Sequence, residues 1–213
     1  MVINFIGDIH GYATELERLL SVLGYRKSST TGWSVGDGHL VFLGDLIDRG
    51  PEQKETVDIV RELCELGHAI CLTGNHEFNA VGFVTERVDE PGQYVRSHTD
   101  NHIRQHQGFL DAYAHDAQGY RETLAWFSTL PLWFDHGPAR AVHACWDPSA
   151  LNINGIAAGS RNFKNDCAGR AAYVCIKSLC MAVVSRNPAT VFTSIGKNTM
   201  TTTTAAFDCQ SKP

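Results

Sequence analysis

Short apolar runs alternate with segments of helical periodicity over the first third of the chain. The runs at 2–6, 39–43 and 69–72 are typical of buried strands. Between them, apolar residues recur every three or four positions and predict two helices. The recurring residues are Leu16, Leu19, Leu20 and Leu23, then Val57, Val60, Leu63 and Leu66. This alternation predicts an α/β fold with a parallel sheet, whose functional site lies at the carboxyl ends of the strands.

The middle of the chain is more polar and has a helical pattern. Residues 78–135 predict a helical cap beside the site. Its apolar contacts are expected from Trp126, Phe127, Leu130 and Leu132. Before the second strand, the Gly-Asp-Gly sequence at 36–38 predicts the tip of a hairpin. The run at 139–144 predicts a further strand that carries His143 near its end.

Composition indicates an ordinary soluble domain and excludes several kinds of partner. A length of 213 residues suits one domain with a sizeable core, and a net charge of −5 gives no basic surface for nucleic acid. No apolar run reaches the ~18–20 residues that cross a membrane. The first residues lack the basic leader of a secretory signal, so we expect a cytoplasmic protein. The seven cysteines include no Cys-x-x-Cys pair, which argues against a disulfide framework.

The composition changes after His143. Up to that residue the chain holds 11 basic and 20 acidic residues, whereas the remainder holds 7 basic and 3 acidic residues and five of the seven cysteines. Residues 185–213 show little periodicity. We therefore expect a core over 1–150. Residues 151–213 are the remainder of that core, a disordered tail, or a sequence whose reading frame differs from that of its ancestor.

Three glycine-flanked sequences follow the predicted strands. They are Gly-Asp-Ile-His-Gly at 7–11, Gly-Asp-Leu-Ile-Asp-Arg-Gly at 44–50 and Gly-Asn-His-Glu at 74–77. Because each lies on the turn that leaves a strand, their polar side chains are expected at one edge of the sheet. Carboxylate, amide and imidazole groups are ligands for divalent metals. The pattern therefore predicts a two-metal hydrolytic centre.

The spacing of these residues suggests how two ions would be held. Asp8 and His10 can converge on one ion, because Ile9 between them turns towards the core. The carboxylate of Asp45 has two oxygens and can bridge both ions, while Asn75 adds a neutral oxygen and His143 an imidazole to the second. Two cations ~3.5–4 Å apart hold a bridging hydroxide for in-line attack on phosphorus. The alternative for His143 is a buried histidine at a strand end.

Three further residues are candidates for catalysis. The guanidinium of Arg49 can bind two phosphate oxygens at once. His76 follows the candidate ligand Asn75, so its side chain is expected to point elsewhere, towards the leaving group. Asp48 can hold one ring nitrogen of His76 while the other donates a proton, which makes the pair a candidate general acid.

These sequences resemble those of the calcineurin-like metallophosphoesterases, and among them the phosphoprotein phosphatase branch. The resemblance covers about the first 145 residues and includes the Val-His-Ala sequence at 142–144. The chain is also similar to the symmetrical diadenosine tetraphosphatases of bacteria. Those proteins usually vary the second and third sequences, so Asp48 and Glu77 favour the phosphatase branch.

The resemblance implies a four-layer α/β/β/α sandwich with two metal ions, manganese first, and iron or zinc as alternatives. It also implies hydrolysis of phosphoesters without a phosphoenzyme, on a phosphorylated protein or a small phosphoester. Family members carry one more histidine, which completes the second metal site, but no histidine follows His143 here. The alternatives to a serine/threonine phosphatase are therefore a diadenosine tetraphosphatase and a catalytically impaired member of the family.

Several other polar residues have a simpler interpretation. His98, His102 and His106 recur every four residues, which would place them on one face of a helix. Since no carboxylate or cysteine is spaced to complete a metal site there, we expect a solvated polar stripe. Packing is expected for Cys145, and surface positions are expected for Arg161 and Arg170.

Overall fold

The computed structural model describes residues 2–34, 38–136 and 139–143, together with the backbone of three later strands. The helices are α1 (Ala13–Val22), α2 (Gln53–Glu65), α3 (Asn75–Val84), α4 (Asp100–Ala112) and α5 (Ala117–Phe127). The strands up to His143 are β1 (Ile3–Ile6), β2 (Arg26–Ser28), β3 (Gly32–Ser34), β4 (His39–Phe42), β5 (Ala69–Cys71), β6 (Trp133–His136) and β7 (Ala139–Val142). The later strands are β8 (Ala182–Ser185), β9 (Val191–Gly196) and β10 (Thr199–Thr204).

The main sheet has the strand order β10-β9-β1-β4-β5. β1, β4 and β5 are parallel to their neighbours, as the alternation of strands and helices predicts. β9 is parallel to β1, and β10 is antiparallel to β9. The α/β fold class is thereby confirmed, and the carboxyl ends of β1, β4 and β5 lie at one edge of the sheet.

Side chains of the two central strands alternate between two hydrophobic clusters. Ile6, Leu40 and Phe42 pack with the apolar faces of α1 and α2. Phe5 and Val41 point to the opposite side, where they pack with residues of β7. Since successive side chains of a strand point to opposite faces, both faces of this sheet are covered by apolar contacts.

A second sheet of three antiparallel strands, β6-β7-β8, supplies the cover on that opposite side. Ala139 and Ala141 of β7 are buried there, and the ring of Phe134 contacts that of Phe5 edge-on, with centroids 6.1 Å apart. The described residues thus form three of the four expected layers: helices, main sheet and second sheet. The fourth layer stays a prediction.

The region predicted as a helical cap differs from that expectation at both ends. Its first helix, α3, begins at Asn75 rather than at residue 78, and its last residues lie in strand β6 instead of a helix. Phe109 of α4 and Leu124 and Phe127 of α5 belong to the same cluster as α1 and α2. These helices are therefore packed into the main core, where α4 lies against α2 and α5 lies against α3.

The predicted hairpin, the residues after 143 and the search for a membrane span have the following outcomes. A hairpin does form before β4, from the strands β2 and β3. The tip predicted at 36–38 falls mostly outside the described residues, which omit 35–37. Cys145, Arg161, Arg170 and the side chains of 151–213 also lie outside them. Among the described helices, none is long and apolar enough to span a membrane.

Candidate metal centre

The predicted ligands lie on loops that leave strands of both sheets. Asp8 and His10 follow β1, Asp45 follows β4, and Asn75 begins α3 after β5. His143 follows β7 of the second sheet. The structure brings all five side chains together at one place.

The backbone at these loops is in an uncommon conformation. His10, Asp45, Asp48 and Arg49 have positive φ angles of 52°, 56°, 66° and 77°. For residues other than glycine this left-handed conformation costs on the order of 1 kcal/mol or more each. Four such residues persist side by side only because the surrounding contacts fix them, and such strain concentrates at functional sites.

Glu77 supplies much of that fixation. Its fully buried carboxylate accepts hydrogen bonds from the backbone N–H groups of Asp45 (2.8 Å), Leu46 (2.8 Å) and Gly74 (3.0 Å). The loop after β4 is thereby tied to the start of α3. Gly74 must be a glycine, since a Cβ atom there would collide with the backbone of Asp45. In the sequence, Glu77 indicates only a family branch, because its three backbone partners are brought to it by the fold.

The two carboxylate oxygens of Asp45 face different groups. Oδ2 lies 3.8 Å from Nε2 of His10, and that nitrogen lies 3.6 Å from Oδ2 of Asp8. Oδ1 lies 3.4 Å from Nε2 of His143, which is 3.1 Å from Oδ1 of Asn75. Asp45 is therefore placed between two sets of ligand atoms, as a bridging carboxylate must be.

The tautomers of the two histidines suit metal binding. Nδ1 of His10 donates to the carbonyl of Ile47 at 2.9 Å, and Nδ1 of His143 donates to the carbonyl of Leu43 at 2.7 Å. Because Nδ1 carries the proton in each ring, Nε2 presents a lone pair to the centre. His143 is buried, as a strand-end histidine would be, but its Nε2 also faces the ligand set.

The buried polar atoms of the centre fit a cation. Among the described residues, Oδ1 of Asp8 and Nε2 of His10 are buried without a hydrogen-bond partner. Nε2 of His143 and Oδ1 of Asn75 are both acceptors, so their close approach is favourable with a cation between them. His10, Asp45 and His76, and likewise Asp8, Asp45 and His143, have ligand atoms within 4.8 Å of one another. The residues present therefore fit divalent metals.

His76 and Asp48 form a hydrogen-bonded pair beside these atoms. Nδ1 of His76 donates to Oδ2 of Asp48 at 2.6 Å, and its Nε2 lies 3.8 Å from Oδ2 of Asp45. Burial lowers the pKa of His76, but the bond to Asp48 and the nearby carboxylates outweigh it and raise this pKa above its ordinary value. Arg49, next in the chain to Asp48, is exposed.

A family model described as calcineurin-like phosphoesterase matches residues 1–194 of this chain. The chain belongs to this family. The resemblance inferred from the three glycine-flanked sequences is thereby confirmed, and members of the calcineurin-like phosphoesterase family use two metal ions.

Curated relatives of this chain are named bis(5'-nucleosyl)-tetraphosphatases. A symmetrical one from Aromatoleum aromaticum is 33% identical over 144 residues, which are 68% of this chain and 44% of the relative. An asymmetrical one from Oceanobacillus iheyensis is 40% identical over 76 residues, which are 36% of this chain and 30% of the relative. The chain thus spans less than half the length of these relatives.

A solved structure of a protein serine/threonine phosphatase from Saccharomyces cerevisiae is also similar. It shares 20% identity and a TM-score of 0.49, over 83% of this chain and 51% of that one.

A polar cavity of about 800 Å³ opens beside the candidate metal centre. Arg49, Asn75 and His76 line it together with residues between Arg96 and Gly108. The full lining is Arg49, Asn75, His76, Asn79, Arg96, Asn101, His102, Arg104, Gln105 and Gly108. It includes three arginines and no carboxylate, although the protein as a whole is acidic. Neither Arg96 nor Arg104 was predicted as a site residue.

The histidines expected to form a solvated stripe have three different environments, so that prediction is wrong for one of them. His98 is exposed and stacks on Phe83, with ring centroids 4.0 Å apart. Nδ1 of His102 donates to the carbonyl of Ser97 at 2.8 Å. His106 is fully buried and contacts Asp48. The four-residue spacing could not reveal this, because burial depends on what α4 packs against.

Proposed function

We propose that this chain is a metal-dependent phosphoester hydrolase that binds two divalent ions. The observation that carries the proposal is the placement of Asp45 between two sets of ligand atoms. One set comes from Asp8 and His10, and the other from Asn75 and His143. When bound, the two ions polarise phosphoryl oxygens and supply a nucleophile at neutral pH.

The ions we propose are manganese, with iron and zinc as alternatives. Oxygen and imidazole donors of this kind suit all three metals. The second set, Asp45, Asn75 and His143, has one carboxylate, whereas the first set, Asp8, His10 and Asp45, has two. The ion on the side of the second set is therefore expected to bind more weakly.

His76 is the proposed general acid. Asp48 fixes its Nδ1, so the other ring nitrogen, Nε2, faces the centre near Asp45. A histidine that carries a proton on Nε2 in this position can donate it to the leaving oxygen as the phosphorus–oxygen bond breaks. Arg49, exposed on the same loop, is proposed to bind the phosphoryl oxygens.

Replacing His76 tests this assignment. His76→Asn should lower kcat on an alkyl phosphate by roughly 10²–10⁴, the usual range for loss of a general acid. The loss should be smaller on p-nitrophenyl phosphate, whose leaving group needs no proton. Metal content per chain should stay near the wild-type value. Equal losses on both esters, or loss of metal, would show that His76 is a ligand or a structural residue.

For the substrate, we propose the nucleoside polyphosphate alternative ahead of a phosphorylated protein. The names of the curated relatives support it. The arginine-lined cavity also supports it, because a polyphosphate carries negative charge on further phosphates besides the one at which cleavage occurs. Arg104 is exposed in this cavity, so its guanidinium is available to a phosphate beyond the one at which cleavage occurs.

Arg104 offers a test with a matched control. Its guanidinium donates to Asn101 three residues earlier, and that of Arg121 on α5 donates to Gln118 in the same way. Both arginines are exposed, but Arg104 lines the cavity. Arg104→Gln should raise KM for diadenosine tetraphosphate about tenfold, the effect of one lost charged hydrogen bond, and leave p-nitrophenyl phosphate unchanged. Arg121→Gln should change neither.

A metal-supplemented assay of the wild type with a phosphopeptide completes the comparison. A higher kcat/KM on the phosphopeptide than on diadenosine tetraphosphate would favour the protein phosphatase assignment. No turnover of any ester at saturating manganese would instead favour the catalytically impaired alternative.

A further inference from the structure

Asp48 is held from three directions. Its carboxylate is 1% exposed and accepts a hydrogen bond on each oxygen: Oδ2 from His76 at 2.6 Å and Oδ1 from Nδ1 of His106 at 3.2 Å. Its backbone N–H donates to Oε1 of Gln53 at 2.7 Å. The backbone and both carboxylate oxygens are therefore fixed, and His106 supplies the contact that comes from α4.

The surroundings of His106 determine which ring nitrogen carries its proton. The ring is fully buried between Phe83 and Phe109, with centroid distances of 5.3 and 5.0 Å. Its Nε2 is buried without a hydrogen-bond partner among the described residues. A proton on Nε2 would be a buried donor with no acceptor, which is costly. The neutral form with the proton on Nδ1 avoids this cost and can donate to Asp48.

We propose that His106 is a positioning residue for His76. By donating to Oδ1 of Asp48, it prevents rotation of the carboxylate and keeps Oδ2 aimed at Nδ1 of His76. The ring of His76 is thereby held with Nε2 towards the centre, 3.8 Å from Oδ2 of Asp45. The proposal rests on the proposed function insofar as His76 is the general acid, and it gives α4 a part in orienting that acid.

A pair of variants separates hydrogen bonding from packing. In His106→Asn, the amide nitrogen lies near the position of Nδ1 and can still donate to Asp48. In His106→Leu, the buried volume is filled but no donor remains. Both variants are assayed with manganese on an alkyl phosphate and on p-nitrophenyl phosphate, and their metal content is measured.

The expected result is a loss that depends on the leaving group. His106→Leu should lower kcat on the alkyl phosphate by about 10–100-fold, the scale of a misplaced catalytic group, with KM unchanged. On p-nitrophenyl phosphate the loss should be much smaller. His106→Asn should restore most of the activity on the alkyl ester. Equal losses on both esters in His106→Leu while His76→Asn keeps its leaving-group dependence, or no restoration by asparagine, would overturn the proposal.

A second measurement does not depend on turnover. In ¹⁵N-labelled, zinc-loaded protein, the Nδ1 proton of His76 should exchange with solvent faster in His106→Leu than in the wild type or in His106→Asn. Unchanged exchange in His106→Leu would overturn the positioning role even if activity falls. If His76→Asn shows no leaving-group dependence while the exchange result holds, the acid assignment fails and the positioning of His76 by His106 stands.

Discussion

The two oxygens of Asp45 point in different directions, which gives this residue a different part from that of its neighbours. His10 faces Oδ2 and has Asp8 beside it, whereas His143 faces Oδ1 and has Asn75 beside it. Replacing one of these four removes a ligand from one set. Replacing Asp45 affects both sets together.

This difference gives a prediction for metal content. Asp45→Asn should weaken binding of both ions, because it removes the shared negative charge, and turnover should fall by at least about 10², the scale seen when a charge-stabilising group is lost. Asp8→Asn should affect mainly the ion next to His10. Metal analysis of the purified variants at limiting manganese measures both effects. Two tightly bound ions in Asp45→Asn would show that the bridging assignment is wrong.

At the scale of elements, a single buried side chain joins the loop after β4 to the first turn of α3. Glu77 accepts hydrogen bonds from three backbone N–H groups. Two of these groups belong to Asp45 and Leu46, and their hydrogen bonds hold Asp45 in its positive-φ conformation. The placement of Asn75 and His76 at the start of α3 is thus coupled to the placement of Asp45.

Glu77→Gln should therefore destabilise the fold. An amide has one oxygen and an NH₂ group, so at least one of the three N–H donors would face another donor and remain unsatisfied. The expected loss in free energy of unfolding is about 1–3 kcal/mol, measured by urea denaturation. Glu65→Gln is the control, because Glu65 is exposed and its ion pair is with Arg61, one turn earlier on the surface of α2, so the change should alter stability by less than about 0.5 kcal/mol. Equal effects would contradict the anchoring role of Glu77.

At the scale of the whole molecule, the centre connects the two sheets. His143 follows β7 of the second sheet, and its Nδ1 donates to the carbonyl of Leu43, which follows β4 of the main sheet and lies 100 residues away in the chain. Asp48 connects the loop after β4 to α4 and α3 through its two histidines. Protonation of its carboxylate therefore weakens contacts between several elements at once.

The dependence of stability on acid follows from the pKa of Asp48. Burial opposes the shift, but the hydrogen bonds from His106 and His76 prevail and lower this pKa from 3.8 to about 2. Because the folded-state pKa is depressed, the stabilisation is present above about pH 4 and is lost as pH falls towards 2, an effect of about 2 kcal/mol. Urea denaturation of metal-free protein between pH 5 and 2 should show wild type losing this advantage over Asp48→Asn. A difference that does not change with pH would contradict it.

Much of the fold could be predicted because its signals are local. The strands at 3–6, 39–42 and 69–71 and the two helices between them follow from periodicity within single segments. The positions of Asp8, Asp45 and Asn75 at one edge then follow from the parallel order of the strands. The ends of the predicted cap were wrong, since the strand Trp133–His136 is short and its pairing with β7 is not visible in its own pattern.

The sequence by itself determined the family and the group of candidate ligands, because glycine-flanked turns after strands place polar side chains by local geometry alone. The tertiary structure decided how those side chains are supported. His106 meets Asp48 across 58 residues and Glu77 meets Asp45 across 32, while the cavity joins Arg49 to residues of α4. Such contacts depend on which face of one element packs on another. That choice is made by the burial of the whole core rather than by the sequence around either residue.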